Sequence, residues 1–123
     1  MTDKELLELA AKAAGIVVIR SRLNDPACLD FVIENSPRNP DERLGPWNPL
    51  TDDGDALRLA VKLNLKIECM VGQSAARTFD NKCAGCVDHA DNEQYPGIEF
   101  AADPYAATRL AIVRAAAEIG KTC

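Results

Sequence analysis

Cys83, Cys86 and His89 stand in a Cys-x2-Cys-x2-His run, which places three soft or borderline metal ligands close together in the chain. Cys69 offers a fourth, and the set would complete a tetrahedral zinc site. Structural zinc sites mostly use two separated ligand pairs, however. Here the second pair is missing and His89 is the only histidine, so ordinary strand or loop cysteines explain the pattern better. Thioredoxin-type redox chemistry needs the first cysteine at a helix N-terminus, and Val87 to Asn92 has no helical face. A second cluster, Asp52, Asp53 and Asp55, has the oxygens for a hard cation. A calcium loop, though, spreads six or more oxygens over a longer glycine-turned segment, and three aspartates at the start of a helical pattern are better read as capping and dipole compensation. Trp47, with Asp52 and Asp53 beside it, is the candidate partner contact, because tryptophan anchors many interfaces; the bland reading is a tryptophan packed over the domain edge. No serine elbow, phosphate-binding glycine loop or histidine pair is present. An enzyme would have to work with carboxylates, one histidine and thiols, and a binding role is the expectation.

At 123 residues the chain has the size of one domain, 1–123, which buries roughly two-thirds of its unfolded surface. Hydrophobic residues at 47% and charged residues at 27% place it among chains that fold unaided. A net charge of −5 without a run of Lys or Arg argues against a nucleic-acid or anionic-membrane surface, since counterion release needs clustered cations. The N-terminus has no uninterrupted apolar h-region and no segment nears the ~20 apolar residues of a membrane span. A cytoplasmic location is therefore expected, in which five cysteines serve as thiols or ligands before they serve as a disulfide framework.

The elements that must position these residues are legible in outline. Thr2 and Glu5 form a capping box ahead of Leu6, Leu9, Ala10 and Ala13, and Gly15 stops that helix. Ile16–Ile19 and Cys28–Glu34 read as strands, and the proline-rich stretch from Asn35 to Pro46 as a long surface loop. Asn48-Pro49 is a turn, a helix starts near Thr51, and Asn64 ends it before the strand Leu65–Val71. Ala75–Asp80 is its antiparallel partner, Cys83–Asn92 is ambiguous, and Ile98–Ala101 is a further short strand. Asp103-Pro104 starts a last helix that runs to Ile119 before Gly120. This order predicts an α+β fold, an α-β-α sandwich with a mainly antiparallel four- or five-stranded sheet and about three helices. Leu57, Leu59, Ala60, Leu63, Ile67 and Val71 are expected in one core with Ile112, Val113 and Ala116. Arg109 falls inside the apolar arc of the last helix, so its guanidinium must snorkel out or pair with an acid, the nearest in sequence logic being the Asp52–Asp55 cluster.

The pairing of WNPLTDDGDALRLAVKL in mid-chain with DPYAATRLAIVRAAAEIG at the end resembles the ABA-sandwich domain of phage and prophage proteins, a family with NinX-like relatives. The resemblance spans the N-terminal helix, Trp47–Val71 and the C-terminal helix. It implies an α-β-α layered fold and a phage genome, and carries no catalytic residue to any position here. The expected role is a phage or prophage accessory protein in the host cytoplasm that binds a host protein, for instance to counter a host defence. The competing expectation is a metal- or small-molecule-binding domain centred on Cys83, Cys86 and His89.

Overall fold

In the computed structural model, which describes residues 2–21, 30–70, 73–78, 84–88 and 104–122, Thr2 and Glu5 close the capping box that opens helix α1 (Asp3–Ala14). Gly15 ends it in the left-handed region at φ 70°, where a side chain would be strained. Two strands follow, β1 (Val18–Ser21) and β2 (Phe31–Glu34), paired antiparallel with an irregularity between Val18 and Arg20. Phe31, Val32 and Ile33 are all buried, so β2 is covered on both faces. The stretch after it is less of a loop than its prolines suggest. Leu44–Trp47 returns as β3, pairing with β2 from Phe31↔Trp47 to Glu34↔Leu44.

Helix α2 (Asp53–Lys62) starts from Asp52, whose side chain accepts the Asp55 N–H at 2.8 Å. Asp52 is thus the N-cap, one residue later than the expected Thr51. Asn64, at φ 55°, leads into β4 (Leu65–Met70), which pairs antiparallel with β5 (Gln73–Thr78), and β5 with β6 (Ala84–Asp88). The last helix is α3 (Pro104–Thr122). The expected strand at Ile98–Ala101 and the expected cap at Asp103 lie outside the described residues.

The α+β class, three helices and antiparallel pairing are therefore present. Among the described residues the strands divide into two three-stranded sheets, β1-β2-β3 and β4-β5-β6, where a single sheet of four or five was expected. Pro46 supplies a reason. It stands opposite Val32 in β3 and lacks the N–H that a further neighbour would need, which suits β3 to a sheet edge. Among the described residues no helix is long and apolar enough to cross a membrane.

Both the second sheet and the other two helices pack against α3. From Tyr105 to Lys121 only Tyr105, Glu118 and Lys121 are exposed, so the middle of α3 is enclosed almost all round. Alanine makes this feasible, because Ala106, Ala107, Ala111, Ala115, Ala116 and Ala117 let neighbours approach the helix backbone closely. The expected stop at Gly120 does not occur. The helix continues through it, and a Cβ there would overlap the Leu9 carbonyl group of α1, so this glycine serves a helix crossing. Of the expected core, Leu59, Ala60, Ile112, Val113 and Ala116 are buried together, with Leu63 and Ile67 partly buried against them. Leu57 is a correction, being 58% exposed, as Val61 is at 67%. The pair lies one side of the helix away from Ala56, Leu59 and Ala60, which already fill the space facing α3. Tyr105 is likewise exposed rather than in the apolar stripe. Val71 lies outside the described residues.

Gly120→Ala should lower stability by about 1–3 kcal/mol despite alanine's better helix propensity, because the overlap is with backbone that cannot rotate away. Leu59→Ala should cost about 2–5 kcal/mol, and Leu63→Ala, at a half-buried position, clearly less. Urea melts of the three variants test this ordering.

Candidate functional site

Asn48 begins the turn that delivers α2. Its side-chain oxygen accepts the Leu50 N–H at 3.0 Å, and its carbonyl accepts from Thr51 and Asp52. This is the Asx arrangement that an Asn-Pro turn favours. Its own N–H donates to Oδ2 of Asp55 at 2.9 Å. Asp55 is fully buried and collects two arginines. Arg58 donates from Nη2 to Oδ1 at 2.7 Å, and Arg38 Nε lies 3.0 Å from Oδ2. Arg38 also reaches Asp30, at 3.3 Å from Nη2. Its Nε and Nη2 are buried without hydrogen-bond alignment, so Arg38 acts on these carboxylates as a nearby charge more than as an aligned donor. Burying a carboxylate is costly unless it is paired. Asp55 meets that cost with one backbone N–H and two guanidinium groups.

Arg38 can reach Asp55 because the loop between β2 and β3 is tightly built. Asn35 adopts φ 57° and donates to the Arg43 carbonyl at 2.8 Å. The Ser36 hydroxyl donates to the Pro46 carbonyl and accepts the Arg38 N–H. Gly45 lies under the loop, where a Cβ would come within 2.8 Å of Cβ of both Ser36 and Asn39. Loop 35–43, turn 48–51 and the start of α2 are thereby bound into one unit through Asp55.

Beside this unit is a pocket of ≈ 430 Å³, where the end of α1, the end of β2 and the flank of α2 meet. Ile16, Ile33, Trp47 and Leu59 supply its apolar lining, and Glu34, Arg58 and Lys62 its charges. Trp47 is only 4% exposed and stacks on Phe31, its cross-strand neighbour, with centroids 6.3 Å apart. Such cross-strand aromatic pairs stiffen a sheet face. Val17, 71% exposed, stands at the pocket mouth. A concave apolar site of this size with a few charges at its edge is the usual form of a binding site.

The residues singled out from the sequence are distributed differently from that expectation. Trp47 is a buried wall of the pocket rather than an exposed anchor. Asp52 caps α2 and lies 3.8 Å from Arg58 and 3.9 Å from Arg38. Asp53 pairs with Arg109, whose Nε also donates to the Leu50 carbonyl at 2.9 Å. The acid partner expected for Arg109 in the aspartate cluster is therefore present, and the pair joins α3 to the start of α2. All three aspartates are engaged with protein groups, which supports capping and pairing over a cation. Cys69 pairs with Ser74 and Cys86 with Ala75. The two cysteines are thus on strands either side of β5, with backbones about 10 Å apart. Cys83 and His89 lie outside the described residues. Among the described residues no cluster of three or more His, Cys, Asp or Glu side chains is placed to hold a metal.

Sequence reasoning missed Arg38, the burial of Asp55 and the pocket. A signal for Asp55 was available: it precedes Leu59 by four residues, so both lie on one helical face, and an aspartate there demands cations. Arg38 and Glu34 reach the site only through the β2–β3 pairing. No family model matches the chain, and neither a characterised protein nor a solved structure matches it.

Asp55→Asn should destabilise the fold by about 3 kcal/mol or more, as removing one partner of a buried pair does, and thermal or urea melts measure it. Arg109→Met should cost more than Asp53→Ala. Asp53 is 73% exposed, so a double-mutant cycle should give a coupling below about 1 kcal/mol, while the Leu50 carbonyl loses its donor in either background.

Proposed function

We propose that this chain is a binding domain that docks a partner protein at the pocket between α1, β2 and α2, and that it serves as a phage or prophage accessory protein directed at a host protein. The observation that carries the docking role is the pocket itself, an apolar hollow backed by the stacked Phe31–Trp47 pair. Its α2 wall is held through the buried Asp55, which takes the Asn48 N–H and lies against Arg38 from the β2–β3 loop. A wall anchored in this way is preorganised, so little ordering entropy remains to be lost on binding. The exposed Val17 at its mouth extends the apolar surface outward, which suits a protein partner whose side chain enters while its backbone stays outside. The phage setting and the host target draw on the motif resemblance in Trp47–Val71 and the C-terminal helix.

Capture from lysate of the host bacterium tests this reading when wild type is run beside Val17→Asp and Glu118→Ala, the latter replacing an exposed residue that does not line the pocket. A stoichiometric partner should be held by wild type and Glu118→Ala and lost at least about tenfold with Val17→Asp, since a carboxylate at an apolar contact is left desolvated. Equal recovery by Val17→Asp, or no partner with folded bait, would sink it.

A further inference from the structure

The pocket carries two charges that no other described residue answers. Arg58 is committed to Asp55. Lys62, on the α2 wall, and Glu34, at the end of β2, are exposed, and neither is paired with another described residue. They have opposite sign and come from different elements, with the apolar floor of Ile16, Ile33, Trp47 and Leu59 sharing the same pocket. Lys62 also faces the carbonyl end of α2, a favourable placement that keeps its charge near that wall without consuming it. A segment bearing only acids would meet Lys62 and be repelled by Glu34, and one bearing only bases would meet the reverse. The occupant that satisfies both walls is amphoteric around an apolar centre.

We infer that the pocket takes a partner segment with one large apolar side chain flanked by one acidic and one basic residue, the acid toward Lys62 and the base toward Glu34. This rests on the reading of the pocket as a protein-docking site. Charge complementarity of this kind sets orientation and rejects wrong partners more than it adds affinity. A volume of ≈ 430 Å³ admits a leucine or phenylalanine side chain together with adjoining backbone.

Trp47 is the only tryptophan in the chain and lines the pocket, so its fluorescence reports occupancy. The probes are acetylated, amidated pentapeptides with central leucine, flanked by one glutamate and one lysine in either order, by two glutamates or by two lysines. A central-alanine version and free leucine complete the set. The mixed peptides should bind wild type about threefold more tightly than either like-charged peptide, the worth of one exposed ion pair. In Lys62→Glu the two-lysine peptide should become the tightest, and in Glu34→Lys the two-glutamate peptide; the alanine version should lose binding throughout. The inference is overturned by a ranking that is the same in all three proteins, by no Trp47 response to any leucine peptide, or by free leucine matching the peptides. If partner capture still depends on Val17 while the peptide ranking ignores both charge reversals, the docking role stands and only this specificity falls. If capture ignores Val17 as well, both fall.

Discussion

A helix enclosed on nearly every side constrains everything packed around it. The middle of α3 has no exposed face, so each neighbour meets a surface made mainly of alanine, and the distance of approach is set by backbone more than by side chain. At Gly120 there is no room even for a Cβ beside the Leu9 carbonyl. Helix α1 packs there against α3, and its last residue Ala14, with Gly15, Ile16 and Val17 after it, lines the pocket. Small residues bury little apolar area each. The stability of such a core comes from close packing over a long helix, which is why it has little tolerance for added atoms.

The second constraint is electrostatic. Asp55 is the only charged residue among the described residues that is fully buried, and from α2 it ties the turn at Asn48 and, through Arg38, the β2–β3 loop, with Arg58 of the same helix as a second guanidinium. An ion pair in this setting adds little net stability compared with an apolar substitute. Its effect is on geometry, since a buried carboxylate with three partners tolerates few alternative arrangements of the segments that hold them. Asn48 and Asp52, which open α2, both bond to Asp55 and so belong to this joint. The same joint sets the α2 wall of the pocket. The buried side of α2 is thus committed to the fold, while Lys62, Glu34 and Val17 on the open side line the pocket without pairing to another described residue.

Local signals in the chain determined the helices and their caps. The Thr2–Glu5 box, the left-handed Gly15, the Asn48 turn, the aspartate start of α2 and the antiparallel β4–β5 pairing all depend on residues within a few positions of one another, where short-range sterics and hydrogen bonding dominate. For Arg109 the sequence left two outlets, snorkelling at the helix edge or an acid of the Asp52–Asp55 cluster, and the fold chose the acid, Asp53. Only the tertiary structure decided what depends on distant neighbours. Leu57 reads as core by periodicity, yet is exposed because Ala56, Leu59 and Ala60 already fill the α3-facing side. Gly120 reads as a stop, yet continues a helix because another helix lies against it. Trp47 and Asp55 read as a surface contact and a dipole charge, yet are buried because β2 brings Phe31 and loop 35–43 brings Arg38 to them. The pocket combines residues from 14 to 62, and no local pattern encodes a cavity whose walls meet only after the chain has folded.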